Sequence, residues 1–483
     1  MPARSISGSS LCRAALAAAA LHGACAARAE GTVSVEVGFV REDGTTSAIA
    51  GLSFGHTGQA LGWDWSSSLA FGADGATGAL EARRDLGGRT HVLSFGHVAF
   101  GGHPLLLPER PRVALRYGVE GERASASVFL SDPSLGPDGS GDGPFAGVTA
   151  AIAGPGGLSL GATVLAGRGP VTAWGTAQDA RAVGLGAEWA DPAGAHDLSV
   201  AVAWTQSSEA DGHAMRFTGS HALGTFALDW RWSLHGAGFV TPGDPGAPAG
   251  LLAWDAALAG TVGRVDLSAA YARERTNPED DPALDTLISE RASLGLAAPL
   301  GEVSAALAAE WWRNELLHSP FLVPGEPTVS SGWDVSVGLD DDGPTLGWAL
   351  GVAAGGERWG PEETRWRSVE AAVTIAASDS GSWSLTAART RADDPWAGPV
   401  RETTLSAAYA HEWTDASASI GLEGWRSSLG AARRTLHMSG EYRLSERTTL
   451  VMDAEIGRET TGGQHEPIRR LGLSLRIDAP FRS

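Results

Sequence analysis

From Val33 onward the chain alternates apolar and polar residues with a period of two: Val33, Val35, Val37 and Phe39; Leu198, Val200, Val202 and Trp204; Val265, Leu267, Ala269 and Tyr271. That period marks a strand whose two faces meet different surroundings. The intervening positions hold Ser, Thr, Gly, Ala or charge, as at Glu36, Asp266 and Ser268. Segmenting the whole chain this way predicts about 26 strands, with a range of about 22 to 26, and almost no helix.

The links between these strands alternate in kind. Tight ones at Gly154-Pro155-Gly156, Leu223-Gly224, Val262-Gly263, Pro299-Leu300-Gly301 and Ser445-Glu446 are interleaved with longer stretches rich in Gly, Pro and Asp. The longer stretches are 132–144, 168–179, 237–249, 275–285, 313–330, 392–400 and 458–466, and all fall on the same side of an up-and-down sheet. The expected fold is therefore all-β: a transmembrane up-and-down antiparallel β-barrel with both termini periplasmic. No linker interrupts the pattern, so residues 30–483 are expected to form a single barrel domain.

Composition narrows the picture. The 483 residues include 65 Gly, 18 Trp and 4 Tyr but no Lys, and 43% are hydrophobic. Mean hydropathy is -0.06, and no apolar run beyond the N-terminus reaches the roughly 18 residues of a membrane helix. This excludes helical spans and leaves strand spans open. Residues 1–29 read as a secretory signal: Arg4 and Arg13, an apolar stretch at 14–21, then a cleavage site at Ala27-Arg28-Ala29, so that the mature chain begins at Glu30. Cys12 and Cys25 leave with it, which removes disulfides and thiolate-held metals from the expected chemistry. A formal charge of -20 argues against nucleic acid as a partner.

Phase assigns the faces. Residues 225–236 would turn Phe226, Leu228, Trp230, Trp232 and Leu234 outward and Asp229, Arg231 and His235 inward; 446–457 would turn Leu450, Met452 and Ile456 outward and Asp453 and Glu455 inward. The other charges expected to line the lumen are Asp64, Asp255, Arg264, Asp266, Asp334, Glu423, Glu441, Arg443, Arg470 and Arg476. Trp63, Trp189, Trp204, Trp254, Trp311, Trp333 and Trp383 lie near strand ends on the apolar phase, as interfacial girdles do. Arg365, Arg367, Arg389, Arg391 and Arg401 also fall on the outward phase, near the outer rim, where arginine pairs with phosphates of lipopolysaccharide.

At the C-terminus Leu471, Leu473, Leu475, Ile477, Ala479 and Phe481 occupy every second position. This resembles the C-terminal assembly signal of Gram-negative outer-membrane barrels, although here the aromatic is third from the end rather than last. The resemblance is to the porin-like barrel class. It implies export to the outer membrane, contact with outer-membrane lipid and lipopolysaccharide, insertion by the barrel-assembly machinery, and passive diffusion of small hydrophilic solutes with no cofactor and no enzymatic role. A round barrel of about 26 strands would be about 50 Å across, and none of the links is expected to be long enough to close it. The alternatives are an export or assembly barrel filled by a separate plug protein, and a structural barrel.

Other chemistry is weakly marked. Gly51-Leu52-Ser53-Phe54-Gly55 and Gly157-Leu158-Ser159-Leu160-Gly161 match the nucleophile-elbow spacing, but neither precedes a helix. The stretch from Asp138 to Gly143 begins like a calcium loop, yet Thr149 stands where the bidentate Glu belongs. Asp280-Asp281 and Asp340-Asp341-Asp342 read as solvated turn residues.

Overall fold

The computed structural model describes residues 29–42, 45–72, 75–132, 144–168, 179–207, 210–242, 248–281, 284–318, 328–360, 362–378, 380–395, 398–461 and 464–482. These form 26 strands. The first are β1 (Ala29–Glu42), β2 (Thr45–Ala60), β3 (Trp63–Gly72), β4 (Gly75–Leu86), β5 (Arg89–Phe100), β6 (Arg110–Glu120), β7 (Ala124–Ser131), β8 (Phe145–Ala153) and β9 (Leu158–Arg168). Next come β10 (Asp179–Ala190), β11 (His196–Ser207), β12 (Asp211–Leu223), β13 (Phe226–His235), β14 (Leu251–Val262), β15 (Val265–Thr276), β16 (Thr286–Leu300) and β17 (Val303–His318). The rest are β18 (Thr328–Asp342), β19 (Leu346–Trp359), β20 (Glu362–Ser378), β21 (Gly381–Asp394), β22 (Gly398–Glu412), β23 (Ala416–Ser427), β24 (Ala432–Ser445), β25 (Thr448–Thr461) and β26 (Gln464–Arg482). Each strand pairs antiparallel with its sequence neighbours, and β26 pairs with β1 from Glu42↔Arg470 to Glu30↔Arg482, so the sheet closes on itself. Among the described residues the one helical turn is Pro155–Gly157, and no helix is long and apolar enough to cross a membrane.

Residues directly opposite in an antiparallel pair point to the same side, so register carries each face from strand to strand. On one side Val128, Val148, Val164, Val183 and Trp204 follow one another across β7 to β11, each left 44–52% exposed. Leu422, Leu436 and Ile456 continue the same face on β23 to β25. On the other side Thr163, Gly184, Ala203, Ala214, His235 and Leu251 are successive partners from β9 to β14. An apolar band that stays open around a closed sheet is the outer surface of a membrane barrel. The 26-stranded up-and-down barrel expected from the alternation is the fold observed.

Several long links expected from composition are shorter because strands continue past the apolar band. β17 runs on to His318 and β18 begins at Thr328, which takes up much of 313–330; β25 and β26 likewise take up most of 458–466. Continued pairing satisfies backbone groups there, and Arg313 and Glu315 stand on β17 as an ion pair at 2.9 Å. The wall is uneven: β7 has 8 residues and β8 has 9, against 17 in β20 and 19 in β26. Residues 1–28, which include most of the expected signal, lie outside the described residues.

One glycine is required within the wall. Gly96 on β5 has φ of 97°, and a Cβ there would collide with the carbonyl oxygen of Gly78 on β4. Gly96→Ala combines a left-handed φ with a backbone clash and is expected to cost about 3 kcal/mol, measured as a lower midpoint for unfolding of the barrel in urea.

Candidate functional site

The link between β5 and β6, residues 101–109, does not stand above the barrel. Leu105, Leu106 and Leu107 are 3%, 0% and 0% exposed, and the link touches strands far along the wall. A Cβ on Gly102 would meet Thr149 of β8 and Thr163 of β9, and one on Gly184 of β10 would meet the His103 ring at 2.8 Å. A short segment rooted between β5 and β6 reaches β10 only by cutting across the concave side, so this face is the interior. The link has folded in.

Its local structure follows from sequence. Pro104 and Pro108 bracket the three leucines, and a compact turn forms in which Leu106 and Leu107 both donate N–H to the His103 carbonyl at 3.0 and 2.7 Å. Arg112 of β6 pins the ends by donating to Phe100 O and Pro108 O, both at 2.7 Å. The leucines join Phe100, Phe129, Phe145 and Leu165 in a cluster floored by Ala182, Ala201, Ala203 and Ala214. Small side chains on β10 to β12 leave room for the link. A second segment, 236–242 after β13, turns inward to meet it: Phe239 is 1% exposed and packs edge-on to His235 at 5.3 Å. Thr241 Oγ1 donates to Leu106 O at 3.1 Å, across a sequence separation of 135. Together the two segments narrow the lumen along the short side of the wall. That these links turn into the lumen was not foreseen from the sequence; three leucines bracketed by prolines were the signal.

His103 is buried where the link meets β10. Its Nε2 lies 3.0 Å from Leu185 O, and its Nδ1 accepts from Leu105 N–H at 3.3 Å. That pattern fits the neutral imidazole protonated on Nε2, since a proton on Nδ1 would face another donor. Burial accordingly holds its pKa below the ordinary value, against a smaller upward pull from backbone carbonyls.

Below this apolar seat the interior wall is charged. Arg231 and Asp255 pair at 2.7 Å between β13 and β14, and with Glu188, Asp197, Arg216 and Asp229 they border one groove. Register places Asp266 and Asp334 on the same interior face, along with Glu423, Glu441, Arg443, Asp453, Glu455, Arg470 and Arg476, and carries Asp64 there through Gln59. Glu455 pairs with Arg433 at 2.9 Å, and Arg291 with Glu310 at 2.7 Å. Arg264 is the exception: it occupies the tight turn between β14 and β15, not a strand position. All seven expected girdle tryptophans take the outward face; Trp311 and Trp333 are direct cross-strand partners, and Trp254 and Trp383 pack at a tilt against Tyr271 and Tyr409, with ring centroids 4.8 Å apart in each pair.

Arg365, Arg367, Arg389, Arg391 and Arg401 are on the outward face, near the ends of β20 to β22 that lie opposite the tight turns. Leu475 and Ile477 are outward on β26, and Phe481 lies in its last backbone pairs. Ser53 and Ser159 are inside β2 and β9 and not at strand-to-helix turns. The calcium-like stretch at 138–143 lies outside the described residues, among which no group of three metal-ligating side chains gathers.

No family model and no curated protein matches the chain. Among solved structures it is similar to the P pilus usher (PapC) translocation pore, at 11% identity over 94% of this chain and 99% of that one, with a TM-score of 0.40. It is also similar to the siderophore receptor PirA from Pseudomonas aeruginosa, at 11% identity over 94% and 81%, TM-score 0.41. A third is the outer membrane channel DcaP of Acinetobacter baumannii, at 10% over 57% and 87%, TM-score 0.32.

The buried imidazole sets a sign for pH. Its pKa is lowered when the link is docked, so the undocked state binds more protons once the pH falls below about 6.5, and docking weakens as pH drops toward the docked value. The protection factor against hydrogen exchange across 101–109, corrected for the intrinsic rate at each pH, is expected to fall between about pH 7 and pH 5, and His103→Asn to remove most of that dependence.

Proposed function

We propose that the chain is an outer-membrane channel through which small hydrophilic solutes diffuse, with both termini periplasmic and the longer links outside. The observation that carries this reading is the division of the wall: an open apolar ladder outside and a charged face inside, kept in phase around a closed sheet. Lipid contact demands the first and a water-filled lumen tolerates the second. Carboxylates outnumber arginines on the described interior face, which favours cations. The folded-in link sets the width on one side, and no enzymatic step is part of the proposal.

A second reading is supported by size. A circular sheet of this strand number would be about 50 Å across, and the inward segments line only the β5 to β14 side. An export or assembly barrel filled by a plug protein fits such a lumen.

Planar-bilayer recording of the refolded protein separates the two. Steady steps are expected, with a reversal potential displaced toward the cation side in a salt gradient. Replacing 101–109 with a short Gly-Ser turn is expected to enlarge the steps. Silence from correctly folded barrels overturns the diffusion reading in favour of a filled barrel.

A further inference from the structure

The outward face of the tall wall carries a charge pattern that neither the fold nor diffusion requires. On β24 the outward positions run Tyr442, Gly440, Met438, Leu436, Arg434, and on β25 Leu450, Met452, Ala454, Ile456, Arg458. β26 gives Ile477, Leu475, Leu473, Leu471, Arg469, and β23 gives Ile420, Leu422, Gly424, Arg426. Each column crosses an apolar stretch and ends in arginine. A tilted strand crosses hydrocarbon in about 9–11 residues, so the arginines emerge together where the hydrocarbon stops.

Register then sets them against each other. Arg367 is the direct partner of Arg391, and Arg391 of Arg401, so three strands carry one row of arginines. Arg434 and Arg458 are likewise direct partners. Like charges placed directly opposite destabilise a sheet. On the outward face of β19 to β26 the described carboxylates are Glu363, which takes Arg365 at 2.9 Å, and Asp393, 3.6 Å from Arg391. Arg367, Arg401, Arg434 and Arg458 meet no carboxylate among the described residues. Elsewhere at the same rim arginines are neutralised: Arg273 by Glu290 at 3.6 Å, and Arg313 by Glu315 at 2.9 Å. Apart from Glu363 and Asp393, the described acids of the tall wall, Glu423, Glu441, Asp453 and Glu455 among them, are on its interior side, so carboxylates within reach of the outward arginines are few in a chain that is acidic overall.

We propose that the arginine rows on β20–β22 and β24–β25 are a docking surface for the phosphates of outer-leaflet lipopolysaccharide. Each row sets arginines on directly opposed backbone positions, where a phosphate can bridge neighbouring guanidinium groups with forked hydrogen bonds while cancelling their repulsion. Their position directly above the apolar columns requires the anion to belong to a lipid. Two rows separated by β23 call for headgroups with more than one phosphate. The proposal rests on the membrane-spanning reading and its orientation, and it assigns the chain a preferred side for lipid.

The test compares wild type with Arg367→Gln/Arg391→Gln/Arg401→Gln and with Arg434→Gln/Arg458→Gln, refolded into phosphatidylcholine vesicles with or without lipopolysaccharide. The thermal midpoint of unfolding and the lipopolysaccharide retained after detergent extraction are measured. Wild type is expected to gain several degrees from lipopolysaccharide, and each variant to lose most of that gain along with at least about tenfold of retained lipid. In phosphatidylcholine alone the variants are expected to be more stable than wild type, because repulsion is relieved. Equal gains in wild type and variants overturn the proposal. So does a full gain from dissolved inorganic phosphate, or from phosphatidylglycerol vesicles without lipopolysaccharide. Failure of wild type to insert into any vesicle instead overturns the membrane-spanning reading beneath it.

Discussion

A backbone carbonyl or amide left unpaired in hydrocarbon costs several kcal/mol, and the rest of this structure depends on that penalty. A sheet avoids it only by closing, and here the closing pair is β1 with β26. Once closed, register leaves no freedom in which side chain meets lipid. Val128, Val148, Val164 and Val183 form a line across four strands because a one-residue slip anywhere would exchange the two faces. Those same valines would be a liability on a soluble protein.

The interior is not uniform. Where the wall is low, at β7 and β8, the chain turns two links inward and builds a small apolar core from leucines and phenylalanines on a floor of alanine and glycine. Where the wall is tall, the interior carries carboxylates and the exterior carries arginines. The barrel therefore has one side narrowed by folded-in links above a charged groove and another lined by charge alone.

Most of the fold was legible because alternation is enforced strand by strand. Val200, Val202 and Trp204 announce their face without help from neighbours. What failed was whatever needed a partner to be seen. Arg264 fits the interior phase of a strand but sits beside Gly263 in a turn, since the turn falls one residue later than the Val262-Gly263 link read from the sequence. The link at 101–109 has an ordinary length; its three leucines mark it as buried, but its seat on Gly184 and Ala203 is what shows where it goes. Arg426, Arg434, Arg458 and Arg469 were passed over because each is one charge at the end of one strand. Register alone brings Arg434 opposite Arg458. Above the band, Arg313 and Glu315 stay on a strand without the apolar alternation that would have marked it.

The bond from Thr241 to Leu106 joins segments that flank eight strands, β6 to β13. Neither the alanine floor nor the second segment exists as a surface until those strands are side by side. The link must therefore settle after the wall around it is laid, so that a nascent barrel passes through a wide-bore stage before acquiring its narrower mature form.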